Sequence, residues 1–190
     1  MKARTWAALL LALLALGCKP SEQARAAPQD EDLGLQIQIL NYTDEGLGVV
    51  YVNGVWAGSM RNHAGGTSVA GSVGLPAKWH PGLTVEVQWQ DDTLYKQDHD
   101  ALHKTQVSVE PYETGEPATL WLAFMPSNKI RAIASRYTPH NPKFPGGLKF
   151  PYDVCMADPA CAARFYPQRV PIRSGNPCLL YTSDAADERG

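Results

Sequence analysis

The sequence has little net charge, no apolar run of membrane-spanning length and none of the common catalytic motifs. Its 17 Lys and Arg residues oppose 19 Asp and Glu residues, which gives a formal net charge of −2. That balance does not favour nucleic-acid binding or polybasic membrane binding, because both need a basic face. The chain has no G-x-S-x-G nucleophile elbow, no phosphate-cradling glycine loop and no HExxH zinc motif. We therefore predict that the protein is not an enzyme and has no catalytic residue, cofactor, metal, nucleic-acid partner or small-molecule substrate.

The longest apolar run, Trp6 to Leu16, follows two basic residues and is shorter than the roughly 20 residues that a transmembrane helix needs. A basic start and a short apolar core are typical of a secretory signal. Leu14 to Cys18 reads LALGC, which resembles a bacterial lipobox, where a peptidase cuts before the cysteine and the cysteine is then acylated. The resemblance implies a signal peptide over residues 1–17 and lipidation at Cys18.

The segment after the lipobox is rich in Pro, Ala, Gln and acidic residues, which predicts a flexible tether over residues 18–34. Lys19 follows the cysteine, whereas Asp at that position is the usual signal for retention in the inner membrane. The resemblance therefore implies an outer-membrane lipoprotein that contacts the membrane through its N-terminal lipid and faces the periplasm.

The other end of the chain resembles no natural motif. Cys178 to Glu188 reads CLLYTSDAADE, which resembles the translation of a transposase-based sequencing adapter. We interpret residues 178–190 as an artefact, as one would a cloning scar, and expect the natural C terminus to be missing after Pro177.

The cysteines are few, and two of the four are already assigned. With Cys18 carrying lipid and Cys178 in the adapter-like tail, Cys155 and Cys161 remain. A lone pair in an oxidising compartment usually forms a disulfide. Zinc is the alternative, but no second Cys or His pair lies nearby at ligand spacing. We therefore predict a Cys155–Cys161 disulfide.

Alternation of apolar and polar residues predicts an all-β fold, an antiparallel β-sandwich of about seven short strands over residues 35–137. The predicted strands cover residues 35–39, 49–52, 55–57, 83–89, 107–109, 120–124 and 130–135. Asn53-Gly54 predicts a type I′ hairpin turn, because both residue types accept positive φ. The glycine-rich stretch Gly58 to Gly74 is interpreted as either a long mobile loop or irregular strands with bulges.

A proline-rich extension over residues 138–177 follows the predicted sandwich. One short helix is predicted in it, with Asp158 as N-cap, Pro159 at the first helical position and Ala160 to Phe165 behind. The rest of the extension is expected to lie extended over the sandwich.

Three residues are predicted to contact a partner: Trp56, His99 and His103. Trp56 lies close to the hairpin tip, where an exposed aromatic side chain acts as a binding anchor. His99 and His103 are four residues apart, so on a helix they would share one face and could hold a metal with a neighbouring aspartate in support. The alternative, a solvated polar loop over Asp91 to Lys104, is the interpretation we adopt.

Several turn and core motifs resemble a family of small proteobacterial lipoproteins without assigned enzymatic function. They are Asn41-Tyr42-Thr43-Asp44, Val52-Asn53-Gly54, Pro76-x-x-Trp79-x-Pro81-Gly82-Leu83-x-Val85-x-Val87-x-Trp89, Val109-x-Pro111-Tyr112, Leu120-x-Leu122-x-Phe124-x-Pro126 and His140-x-Pro142-x-Phe144-Pro145. The resemblance covers about Leu35 to Pro145. Many relatives have a cysteine pair just before the Pro-x-x-Trp element, where this chain has Ala70 to Val73.

Members of that family resemble immunity lipoproteins encoded beside phospholipase effectors of the type VI secretion system. The implied function is to bind such a lipase in the periplasm and block it. Two alternatives remain open at this point: a structural or assembly lipoprotein of the cell envelope, and a periplasmic metal-binding module that uses His99 and His103.

Overall fold

Nine β-strands are the main regular elements of the part of the chain that the structure, a computed structural model, describes: residues 32–66 and 70–169. The strands are β1 (Asp32–Asn41), β2 (Leu47–Val52), β3 (Val55–Met60), β4 (Ala64–Gly65), β5 (Ser72–Pro76), β6 (Thr84–Asp91), β7 (His103–Ser108), β8 (Thr119–Met125) and β9 (Lys129–Ser135). All seven predicted strands are present, and β4 and β5 are additional.

Three short α-helices accompany the strands in the described ranges: α1 (Asp92–Gln97), α2 (Pro151–Ala157) and α3 (Pro159–Phe165). Two 3-10 segments, Pro145–Gly147 and Pro167–Arg169, complete the C-terminal part. No helix within these described residues has the length and hydropathy of a membrane span.

The strands form two sheets. In sheet A the order is β4-β1-β8-β9, with β5 also paired to β1, and in sheet B the order is β3-β2-β6-β7. The predicted all-β sandwich is therefore confirmed. One pair departs from the predicted antiparallel pattern, because β1 and β8 run parallel. Their long separation in sequence supplies the crossover that a parallel pair requires.

The main core lies between the two sheets and follows the alternation of each strand. Fully buried side chains from both sheets meet there: Leu35, Ile37, Val50, Val52, Val85, Val87, Leu120 and Leu122. Each such side chain stabilises the fold by roughly 1.5–3 kcal/mol relative to an exposed one.

A second core covers the outer face of sheet A. Strand β8 is buried on both faces, because Trp121 and Ala123 face away from the first core and are covered in turn. Phe144 from the C-terminal segment packs against Trp121, with ring centroids 5.8 Å apart. The proline-rich extension thus contributes to the hydrophobic core, and sheet A becomes an inner layer.

The two sheets are joined beyond the end of β7. Val109 forms a parallel bridge with Ala132, and the Glu110 amide donates to the Ala132 carbonyl at 2.9 Å. Arg131 donates two hydrogen bonds to the Glu110 carboxylate, at 2.6 and 3.0 Å. Such bidentate pairing fixes geometry as well as charge, so this edge of the sandwich is closed.

The glycine-rich stretch is strand rather than loop over most of its described residues. It contains the end of β3, all of β4 and the start of β5, which agrees with the second of the two interpretations. Gly65 is required in β4, because a Cβ there would overlap the Ile39 carbonyl oxygen. The close approach of two backbones explains the choice of glycine.

Two helices were not predicted. The polar segment interpreted as a loop contains α1, whose N-cap Asp91 accepts a hydrogen bond from the Leu94 amide at 2.8 Å. The proline-rich extension contains α2, which begins at Pro151. Proline at a first helical position is a helix-start signal, and it was obscured here by the neighbouring prolines. The predicted α3 is present, with Asp158 accepting from the Ala160 amide at 2.9 Å.

Candidate functional site

The β2–β3 hairpin presents an exposed aromatic side chain on a well-defined turn. Asn53 and Gly54 both have positive φ, at 48° and 78°, as a type I′ turn requires. Trp56 pairs across the strands with Tyr51. The Trp56 side chain is 53% exposed, and Val55 beside it is 39% exposed. The side chains of Val55 and Trp56 therefore form an exposed apolar surface at a fixed position.

Trp56 belongs to a larger surface, the outer face of sheet B, which carries Tyr51, Trp56, Glu86, Gln88, Lys104 and Gln106. The register places Trp56, Tyr51, Gln88 and Lys104 in one row across the four strands. Within the part of the chain that the structure describes, these side chains are partly or largely exposed to solvent. Whereas sheet A is covered on both sides, sheet B thus offers a mixed aromatic and polar face to solvent.

The charges on this face are paired. The Lys104 ammonium lies 2.8 Å from the Glu86 carboxylate, and its hydrogen bond holds the Glu86 pKa below the usual range. Because the pair lies at the surface, with Lys104 exposed and Glu86 partly exposed, it contributes little to stability. Its two charges stay available to a polar partner surface.

The two predicted histidines lie on different elements. Helix α1 ends at Gln97, so His99 falls in the turn that follows, where its ring stacks on Tyr95 at 4.4 Å. His103 begins β7, and its Nε2 lies 3.0 Å from Asp91 Oδ2. The helix that would have placed both histidines on one face does not extend far enough. The structure therefore gives no basis for a shared metal site at His99 and His103.

The turn that carries His99 is held in place by the buried side-chain amide of Gln90. The Gln90 side chain is 7% exposed and donates to the carbonyls of Asp98, His99 and Ala101, at 3.2, 2.8 and 2.9 Å. A buried polar group that satisfies three backbone acceptors holds a loop in one conformation. His99 is thus an exposed residue on a rigid turn.

Cys155 and Cys161 are bonded to each other, with their Cα atoms 5.2 Å apart. Cys155 lies in α2 and is 1% exposed, whereas Cys161 lies in α3 and is partly exposed. The bond joins two successive helices across Asp158, which ends one helix and caps the next.

The cysteine pair is the centre of a group that we call the His63 cluster: Asp44, His63, Cys155, Cys161 and Arg164. Donor atoms of His63, Cys155 and Cys161 all lie within 4.8 Å of one another, and no other set of three such residues is found in the described ranges. His63 Nε2 lies 2.8 Å from Asp44 Oδ1, and Arg164 donates to Asp44 Oδ2 at 2.6 Å. These partners, the His63 hydrogen bond first, lower the Asp44 pKa.

The imidazole of His63 is held from several sides. Its ring centroid lies 4.5 Å from that of Phe165. The Tyr166 hydroxyl donates to the His63 carbonyl at 2.7 Å, and the His63 amide donates to the Thr43 carbonyl at 3.3 Å. His63 also has positive φ, at 46°, which is uncommon for a residue other than glycine. The loop thus presents the ring in one orientation.

Nothing in the sequence pattern marked His63 as part of a site, so this cluster was not predicted. His63 is about 90 residues from the cysteines, and no motif connects the two regions. Cys18, the predicted lipidation site, lies outside the described residues, as does the adapter-like tail.

The comparisons with known proteins bear on the sandwich alone. Residues 40–132 match a family described as "Protein of unknown function (DUF3304)". The match begins in β1 and ends in β9, so it leaves the C-terminal segment and both cysteines outside. No curated protein and no solved structure matches the chain. Because the family description gives no activity, function has to be argued from the residues of this chain.

Proposed function

We propose that the protein is a lipid-anchored protein of the cell envelope that acts by binding another protein, and that its partner is a lipase effector of the type VI secretion system. In this role it is an immunity protein. The observation that carries the proposal is the exposed Trp56 on the β2–β3 hairpin. Tryptophan is among the residues that dominate the binding energy of protein interfaces.

The hairpin is a suitable base for a binding anchor because its backbone is already ordered. The type I′ turn and the cross-strand Tyr51 pair fix the position of Trp56 before a partner arrives. An ordered anchor avoids much of the entropic cost that association otherwise carries. Trp56 can therefore contribute most of its contact energy to affinity.

The outer face of sheet B has the composition of an interface. Aromatic side chains lie at the β3 edge, and the Glu86–Lys104 pair lies towards the β7 edge. Interfaces of this kind combine an aromatic centre with a polar rim. A partner would bury about 800 Å² on each side in a standard interface, which would extend past the four strands to α1 and His99.

The lipid anchor completes the proposal. Acylation at Cys18 and the tether over residues 18–34 would hold the domain at the periplasmic face of the outer membrane. Several acyl chains give stable anchoring, since each buried methylene contributes about 0.8 kcal/mol. The inhibitor would then stand in the compartment where a lipase effector attacks.

The test is co-purification of the chain with the product of a neighbouring lipase gene, followed by affinity measurement on variants. We expect Trp56→Ala to weaken the complex about 30-fold, which corresponds to the ~2 kcal/mol of an interface hot spot. Val154→Ala is the matched control, because Val154 is 45% exposed but lies in α2, on the segment that covers sheet A. It should leave the affinity unchanged.

The predicted histidines are tested in the same assay. His99 is exposed on its turn, so His99→Ala should weaken binding, whereas the His103 ring lies 4.9 Å from that of Trp89, a core residue, and its removal should matter less. Absence of a complex, together with full lipase toxicity in cells that make the chain, would rule out the immunity function. An assembly lipoprotein of the envelope would give that result.

A further inference from the structure

We propose that His63, Cys155 and Cys161 bind a Zn²⁺ ion when the two cysteines are in the dithiol form. This site is separate from the outer face of sheet B and does not depend on the immunity function. Two thiolates and an imidazole are ligands that zinc prefers. The structure brings them together from the β3–β4 loop and from two successive helices.

The spacing of the donor atoms fits such a site after a small adjustment. In a tetrahedral zinc site, Zn–S bonds of about 2.3 Å and Zn–N bonds of about 2.0–2.1 Å place ligand atoms roughly 3.5–3.8 Å apart. The three donor atoms here lie within 4.8 Å of one another. Breaking the disulfide lets the sulfur atoms separate towards that spacing, and the histidine approaches by at most about 1 Å.

The orientation of His63 suits metal binding. Because Nε2 lies 2.8 Å from Asp44 Oδ1, we assign Nδ1 as the nitrogen that would bind the metal. A carboxylate that fixes the other ring nitrogen of a histidine ligand is a common arrangement around zinc, and removing it typically costs 10–100-fold in affinity. Asp44 is therefore a positioning residue, and Arg164 in turn holds Asp44 at 2.6 Å.

The ion can reach the site from solvent. A cleft of about 480 Å³ opens beside the cluster and is lined in part by Asp44, His63, Cys155, Cys161 and Arg164. Three protein ligands leave a fourth position for water, as in zinc sites that stay open. Cys161 is partly exposed on this side, so the disulfide is also accessible to a reductant.

The redox step needs a reductant, which we assign to the class of dithiols. One dithiol transfers two electrons and two protons to the Cys155–Cys161 bond and leaves as a disulfide, giving two cysteine thiols. Zn²⁺ then displaces the two thiol protons as it binds the thiolates. Because protons compete with the metal, zinc affinity should fall as the pH is lowered.

The fold is expected to persist without the disulfide. Cys155 and Cys161 are six residues apart, and a loop of that size contributes only about 2 kcal/mol. The Asp158 N-cap stabilises the start of α3. The Arg164–Asp44 pair and the Tyr166 hydroxyl bond to the His63 carbonyl keep the end of α3 near His63.

The experiment uses the purified full chain, reduced and freed of reductant without oxygen, and titrated with Zn²⁺ against a chromophoric chelator. Cys155→Ser/Cys161→Ser is the background control, because it retains Cys18 and Cys178. His140→Ala is the control for His63→Ala, since it removes a histidine whose Nε2 is likewise paired to a carboxylate, that of Asp153 at 3.0 Å.

We expect the reduced chain to bind one Zn²⁺ more than the double serine variant and the oxidised chain to lose that ion. His63→Ala should weaken binding at least 10-fold and Asp44→Asn about 10–100-fold, while His140→Ala should not. Co²⁺ in place of zinc should give thiolate charge-transfer absorption that the double serine variant lacks.

Three results would overturn the proposal. Equal zinc binding by the double serine variant would assign the metal to other groups. Equal zinc affinity of His63→Ala and His140→Ala would show that His63 is not a ligand. Loss of the folded circular dichroism spectrum on reduction would show that the ligands are not held together in the dithiol form.

Discussion

Tyr42 is the residue where the loop before β2, the second core and the C-terminal segment meet. Its side chain is 8% exposed and its hydroxyl donates to the Lys149 carbonyl at 2.5 Å. Burial raises the pKa of Tyr42 to about 12, and the charge of Arg131 offsets this only in part. Ionising this phenol would place a negative charge in an apolar layer, which is costly.

Tyr42 should therefore make the protein sensitive to alkali. The unfolded chain ionises this group at its ordinary pKa of 10.0, whereas the folded chain keeps the proton up to about 12. The stabilisation is fully present below pH 10.0 and declines by ~2–3 kcal/mol as the pH rises to 12. Denaturant unfolding of the wild type and of Tyr42→Phe across this range measures it.

The Tyr42→Phe variant should start less stable by about 1 kcal/mol at neutral pH, because it lacks the Lys149 hydrogen bond, and should decline less between pH 10 and 12. Tyr95→Phe is the control, since Tyr95 is 52% exposed. If the slopes of Tyr42→Phe and the wild type were the same, the alkaline sensitivity would have to come from another group.

At the scale of elements, the close contact of β4 with β1 requires a glycine at position 65. Gly65 pairs with Leu40, and the backbones approach so closely that no side chain fits between them. Strand β4 leads directly from the His63 loop, so the same glycine also determines where His63 lies.

Gly65→Ala should destabilise the protein by about 1–3 kcal/mol, because the added methyl group must push β4 away from β1. Gly34→Ala is the matched control. Gly34 lies in β1, its φ is outside the positive region that favours glycine, and a Cβ there would meet nothing within 4 Å. That control should be neutral or slightly stabilising. Thermal unfolding distinguishes the two, and equal melting temperatures would contradict the steric argument.

At the scale of the whole molecule, the C-terminal segment turns a two-sheet sandwich into a three-layer structure. Its residues bury the outer face of sheet A, with Phe144 at 3% exposure against Trp121, also at 3%. The family match ends within β9, before this layer. The layer also supplies α2 and α3, and with them the His63 cluster.

Phe144→Ala should lower the free energy of unfolding by about 3–5 kcal/mol, the usual range for removing a buried aromatic side chain. The near-ultraviolet circular dichroism of Trp121 should weaken at the same time. Phe144→Leu keeps most of the volume and should cost less, so it remains measurable if the alanine variant does not fold. A loss below about 1 kcal/mol for Phe144→Ala would mean that the segment is not part of the core.

Local pattern was sufficient to predict much of this structure. The seven alternating segments, the Asn53-Gly54 turn and the α3 N-cap all depend on neighbours in sequence, and each is present in the structure. By contrast, α2 was hidden because its proline start signal lies among other prolines, and β4 is too short for alternation to be visible.

By itself, then, the sequence determined the strands, the hairpin and the all-β class, because side-chain alternation and turn chemistry are local properties of the chain. Tertiary structure alone decided that β1 and β8 pair in parallel, that sheet A is covered on both faces and that His63 lies beside Cys155 and Cys161. Those features join segments far apart in sequence, and their energy comes from contacts that exist only once the sheets and the C-terminal layer have packed.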